Sequence, residues 1–200
     1  LSTECIRSPL DWMYYQSDGR QLKDIHSKFG KIALKEFPVT SILWHKIWLP
    51  YVYKIKVLRP LNHIDYIKED AKNILIKKFN WEPYPQKHFE SRFTKFYESY
   101  WLPVRFGYDV RKVQYSSLIL TNQMKREEAL EMLKKSSFDK ETIDRDIDFI
   151  CNKLGINLSE FNYFLNLPLK SYSDYKNQKY IYDFGAFVMK SLNLEIGGKR

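Results

Sequence analysis

The chain has 200 residues, an apolar fraction of 44% and a high aromatic fraction of 16%, which suffices for a sizeable core in one large domain or two small ones. A net charge of +9 and a pI near 9.3 suit nucleic acid, phosphorylated substrates or an anionic surface. Two distant cysteines, Cys5 and Cys151, with no CxxC and no Cys/His cluster, exclude a disulfide framework, predict no metal site and point to free thiols in the cytosol.

The opening "LSTECIRSP" lacks a Met and an apolar signal region, and reads as the start of a piece of a longer protein. Residues 1–19 read as irregular structure ending in the turn "SDGR". Leu22, Ile25 and Phe29 predict a short helix closed by Gly30. Thr40 or Ser41 caps a helix through Ile42, Leu43, Ile47 and Trp48 that kinks or restarts at Pro50. The run "ILWHKIWLPYVY" (42–53) is too short to span a bilayer and is broken by His45, Lys46 and Pro50, so no membrane span and a cytoplasmic protein are expected. "KIKVLRPLNHI" (54–64) is the best strand candidate, ended by Pro60.

Asp65 caps "YIKEDAKNILIKKF", which places Ile67, Ala71, Ile74, Leu75 and Phe79 on one face. The turn "NWEPYPQ" leads into "QKHFESRFTKFYESYWLP" (86–103), where Phe89, Phe93, Phe96, Tyr97 and Tyr100 form one helical face to be buried. His88, Arg92, Lys95 and Ser99 form a second stripe roughly 90° away, at the border of the core. Either this stripe is a solvated flank or its cations reach into a cleft with their stems on apolar surface. Val110, Val113, Ser117, Leu120 and Met124 predict the next helix, and Ala129, Leu130 and Leu133 a short one. Ile143, Ile147, Ile150 and Leu154 predict a helix stopped by Gly155. Asn157 and Glu160 have capping-box spacing and start a helix that Pro168 closes. Ile181, Phe184, Val188 and Leu192 predict a last helix before "IGGKR". The expected fold is mainly α, with one or two strands near 54–64.

The strand-like "KVLRPL", and above all "KHFESRFTKF", "LPVRFGYDVRK" and "SSLIL", carry a resemblance over roughly residues 40–170 to the C-terminal half of the N-acetyl sugar amidotransferases, a family of lipopolysaccharide biosynthesis proteins in the PP-loop ATP pyrophosphatase superfamily. The resemblance implies that residues 1–64 close an α/β nucleotide-binding domain of HUP type, with its last strand near 54–61, and that 65–200 form a helical C-terminal domain. It implies ATP-dependent conversion of the acetamido group of a nucleotide-linked sugar to an acetamidino group, for O-antigen or related glycans. Ammonia would come from glutaminase and channelling partners similar to imidazole glycerol phosphate synthase.

Within that reading, His88 and Glu90 are candidates for proton handling and Lys87, Arg92 and Lys95 for contacts to a diphosphate or developing charge. Arg105, Arg111 and Lys112 form a second basic cluster that could touch substrate. The family's Ser-Gly-Gly-x-Asp-Ser loop, which holds ATP and its Mg, has no counterpart among these residues; their one Gly-Gly is Gly197–Gly198. No cofactor is therefore expected in this stretch. Two further departures are Lys125, where the family has a capping Thr, and Pro85 and Gln86, where it has glycines. A basic helical nucleic-acid-binding domain and a protein-docking module built on helices 140–193 are the alternatives. No nucleic-acid motif supports the first, and the aromatic residues lie on a core face rather than on a stacking platform.

Overall fold

The computed structural model describes residues 8–9, 11–58, 60, 63–84 and 88–193. Its elements, in chain order, are α1 (Gly19–Phe29), a first π-helical segment (Trp44–Val52), α2 (Lys68–Phe79), α3 (Arg92–Phe96), a second π-helical segment (Tyr97–Phe106), α4 (Val110–Leu120), α5 (Arg126–Lys134), α6 (Ile143–Leu154), α7 (Leu158–Asn166), a 3-10 turn (Tyr172–Asp174) and α8 (Lys179–Ser191). The protein is mainly α, as expected. It divides into two compact units, one of Leu1–Trp12 with Arg59–Leu169 and one of Met13–Leu58 with Lys170–Arg200.

The core of the first unit joins α3, the second π segment, α6 and α7. Phe96, Ile147, Ile150, Cys151 and Phe161 are buried together, with Tyr100, Trp101, Ile143 and Leu165 packed around them. The Phe96 and Phe161 rings lie 6.0 Å apart, and Trp101 meets Phe161 edge-on at 5.6 Å. The turn between α6 and α7 follows from sequence. Gly155 takes the left-handed conformation at φ 67°, and Asn157 and Glu160 complete the capping box in both directions at 2.9 Å. The α5 start shows the converse, because Lys125 sits at the N-cap with no side-chain hydrogen bond to offer.

In the second unit, Asp18 caps α1 by accepting from the Arg20 and Gln21 amides, and also accepts from the Tyr14 hydroxyl and the Gln178 amide. Asp24 accepts from the Lys176 amide and from Lys28. Stacked rings, Tyr14 on Tyr172 and Tyr15 on Tyr182, run beside these bonds. Asp18 at the cap of α1 and Asp24 within it thus hold the residues that lead into α8. Gly19 opens α1 against the Thr40 carbonyl, which a Cβ would meet at 2.3 Å.

Three expectations are corrected. Residues 54–58 form no strand, because they find no ladder partner among the described residues; the other described residues of 54–64 (60, 63 and 64) form none either. The chain instead turns at Lys54 (φ 53°), and the Ile55 amide donates to the Leu49 carbonyl to finish the π segment. Arg59, Leu61 and Asn62 lie outside the described residues. Asp65 does not cap α2. Ile67 stands at the N-cap, and the Lys68 amide is met by Gln123 Oε1 at 2.8 Å, so the cap comes from the loop after α4. In the third correction, Phe93 is 48% exposed and Tyr97 is exposed too, while Phe96 is 3% exposed. The helix starts at Arg92 and meets α6 through the side that carries Arg92, Lys95 and Phe96, so the buried side is turned toward the cationic stripe.

The second π segment explains another packing contact. At about 80° per residue instead of about 100°, Trp101 comes roughly 40–50° from Phe96 rather than about 140°, which brings it to the core side against Phe161. Pro50 and Pro103 each stand seventh in their π segment and each follows a Trp-Leu pair.

Candidate functional site at the start of the third helix

The stripe expected at the core border is built on the first turns of α3. Ser91 caps the helix by accepting from the Thr94 amide at 3.3 Å. His88 precedes it in a turn with φ 67°, a left-handed conformation that favours glycine and costs a histidine strain. That turn directs the imidazole to Glu98, and His88 Nδ1 lies 2.7 Å from Glu98 Oε1. The tautomer protonated at Nδ1 donates to this carboxylate, and in that tautomer Nε2 is the ring's acceptor. The Glu98 side chain is 16% exposed, and its Oε2 is buried without a hydrogen-bond partner among the described residues. A buried carboxylate oxygen in that state is poised to take a donor from a ligand or water.

Beside this pair, Arg92 Nε donates to Asp146 Oδ1 at 2.7 Å and Arg92 Nη2 to the Arg145 carbonyl at 2.8 Å. Its guanidinium also lies 4.2 Å from the centre of the Phe149 ring. Lys95 Nζ reaches Asp146 Oδ2 at 3.4 Å. Two cations therefore flank one buried carboxylate on α6, and the side chains of Arg92 and Lys95 stay 45% and 30% exposed. Glu90 is exposed at the turn. Lys87 lies outside the described residues.

The second basic cluster does not stay together. Arg105 stacks near Phe106 and Trp101 at 5.3 and 5.8 Å and donates to the Leu165 carbonyl at 2.6 Å, which ties the second π segment to α7. Arg111 is buried. It forms a fork on Asp109 and gives Nη1 to the carbonyls of Met132, Lys135 and Ser136, closing the end of α5. The Asp109 hydrogen bond raises the Arg111 pKa and outweighs burial, which lowers it. Lys112 faces away from both, into a groove between α4 and α5.

Sequence reasoning missed Asp146 and Glu98. Asp146 was readable only as one of several acids in "DKETIDRDID", and Glu98 sits on an outward position at the α pitch. Cys151 is free and buried, and burial pushes its thiol pKa up. Among the described residues no group of three or more His, Cys, Asp or Glu could hold a metal, and no helix is long and apolar enough to cross a membrane.

Residues 90–189, from the turn before α3 into α8, match the family model of the C-terminal domain of WbpG-like LPS biosynthesis proteins. No curated protein and no solved structure matches the chain.

Proposed function

The chain belongs to the WbpG-like lipopolysaccharide biosynthesis proteins, whose C-terminal domain it carries, and on that premise we propose that it is the substrate-side part of an ATP-dependent amidotransferase. Its substrate is a nucleotide-linked acetamido sugar, whose acetamido group becomes an acetamidino group with ammonia from a glutaminase partner and a channelling partner. The observation that carries this reading is the His88–Glu98 pair, set in a strained turn beside the half-exposed Arg92 and Lys95.

ATP supplies the activation of the amide oxygen. The described residues include no phosphate loop, so no step through ATP is derived from them. Ammonia attacking the amide carbon would break that carbon's bond to the activated oxygen, which would leave with AMP, and the new nitrogen would lose a proton. His88 Nε2 accepts it, while Glu98 fixes the ring's tautomer and offsets the charge that the imidazolium gains. Arg92 and Lys95 hold the negative charge of the diphosphate, with Glu90 as a second proton carrier at the turn; Lys87 is a further cation by its place in the sequence. Arg105 ties the second π segment to α7. The second basic cluster contributes less, because Arg111 has its donors engaged and Lys112 faces another groove. The reading of 1–64 as the end of an α/β domain rests on the resemblance, and Val57 and Leu58, 76% and 81% exposed, are apolar side chains that the rest of such a domain would cover.

The test uses the full enzyme, assayed for amidination with free ammonia. His88→Ala should lower turnover about a hundredfold or more, and Glu98→Gln should lower it less, with the pH profile displaced. Full turnover in His88→Ala would remove the base from this site. The 200-residue chain alone should release no pyrophosphate from ATP, even with glutamine and sugar nucleotide; release at an enzymatic rate would place the ATP site within these residues.

A further inference from the structure

Away from α3, the groove between α4 and α5 encloses about 170 Å³. Each helix lines it with one stripe at i, i+3, i+4 and i+7: Lys112, Tyr115, Ser116 and Ile119 from α4, and Arg126, Ala129, Leu130 and Leu133 from α5. The two stripes repeat one pattern, a cation followed by a mostly apolar run. The helices are antiparallel, because Arg111 at the start of α4 bonds to carbonyls at the end of α5. Lys112 and Arg126 therefore stand at opposite ends of the groove, with Ile119, Leu130 and Leu133 between them. Neither side chain has an acid partner among the described residues. The acids of α5, Glu127, Glu128 and Glu131, fall outside the lining stripe.

The groove is smaller than the roughly 300–1,000 Å³ of a small-molecule pocket. Its shape, an apolar trough with a cation at each end, suits the helix-in-groove mode. The ends are separated by about seven residues of helix, roughly 10 Å at 1.5 Å per residue. We propose that this groove docks an acidic amphipathic helix of a partner protein, with carboxylates at i and i+7 and apolar residues at i+3 and i+4. The carboxylates would meet Lys112 and Arg126, and the apolar pair would sit on Leu130 and Leu133. None of the chain's own described helices carries that pattern, which argues against a second copy as the occupant. The inference is independent of the chemistry assigned to α3.

The probe is a fluorescein-labelled designed helical peptide with Glu at i and i+7 and Leu at i+3 and i+4, titrated with the 200-residue protein and read by anisotropy. Expected results are saturable binding that weakens as salt is raised, and a loss of roughly tenfold or more in Lys112→Glu/Arg126→Glu. A peptide with Lys at the two charged positions should bind the double variant and not the unchanged protein. Circular dichroism of the double variant should match the unchanged protein, since neither side chain supports the fold. Absence of peptide binding overturns the proposal, as does equal binding by both proteins. It is also overturned if sedimentation shows a dimer that the double variant breaks, or if anionic vesicles bind the protein and the peptide does not.

Discussion

Replacing Asp146 with Asn tests the central packing claim, that two cations of α3 are pinned to α6 through one carboxylate. The change keeps the side chain's shape and removes its charge. A hydrogen bond to a charged group is worth about 1.5–3 kcal/mol. Here Asp146 accepts from Arg92 at 2.7 Å and from Lys95 at 3.4 Å, so the short bond dominates. Both cations remain partly in water, at 45% and 30% exposure, and can be resolvated when the carboxylate is lost. Arg92 also keeps its contacts with the Arg145 carbonyl and the Phe149 ring. The net cost should be about 1–2 kcal/mol, below the 3–5 kcal/mol of stranding a charge in a dry core. For a chain of this size that lowers the melting temperature by about 2–8 °C. Urea unfolding of Asp146→Asn, Arg92→Gln and the double variant gives the coupling directly, expected to be at least about 0.5 kcal/mol. Additive single effects, or an Asp146→Asn protein as stable as the parent, would refute the pin and return Arg92 and Lys95 to the solvent.

Phe96→Ala should cost about 3–5 kcal/mol in the same assay and Phe93→Ala under about 1 kcal/mol, because only Phe96 is enclosed; the reverse order would mean that α3 is rotated from the position described. Asn157→Ala removes the acceptor of the capping box and should cost about 1 kcal/mol, and a silent change would show that α7 is held by Phe161 alone. The phenols of Tyr14, Tyr97, Tyr100, Tyr115 and Tyr182 are all raised above their ordinary 10.0, chiefly by burial, with the Asp18 hydrogen bond adding to the effect at Tyr14. The unfolded chain therefore ionises first as pH rises. The stability these groups contribute is fully present below about pH 10 and is lost above it. A urea midpoint that holds or climbs between about pH 10 and 11 would contradict this.

Local rules carried the sequence reading furthest where one turn of chain decides the structure. Gly155, Asn157 and Glu160 specify the α6–α7 corner through backbone freedom and two reciprocal bonds, and no distant residue is needed. The mainly helical class followed from periodicity in the same way. The reading failed where a distant partner decides. Gln123 caps α2 from 55 residues away, Asp146 meets Arg92 from 54 residues away, and the main-chain partner that would make a strand of 54–58 is not among the described residues. It also failed where the period itself changes, since a count at 3.6 residues per turn turns Trp101 away from Phe96, and where α3 meets α6 through Arg92, Lys95 and Phe96, which leaves Phe93 outside. At the candidate site, His88, Arg92 and Lys95 were legible as a stripe. Glu98, which gives His88 its chemistry, was not, and Arg111 could not be separated from its neighbours without seeing Asp109 and the end of α5 around it.

The wide turn between Phe96 and Trp101 also bears on how relatives of this chain should line up. Five residues at about 80° and four residues at about 100° both sweep roughly 400°, so they end at nearly the same angle. A homologue one residue shorter here could coil as an ordinary α-helix and still present its tryptophan to the ring that Phe161 occupies. Alignments should then show a single gap at Tyr97–Tyr100 instead of a run of substitutions, with both flanks in register. Length, usually fixed inside a helix, is at this place a neutral character.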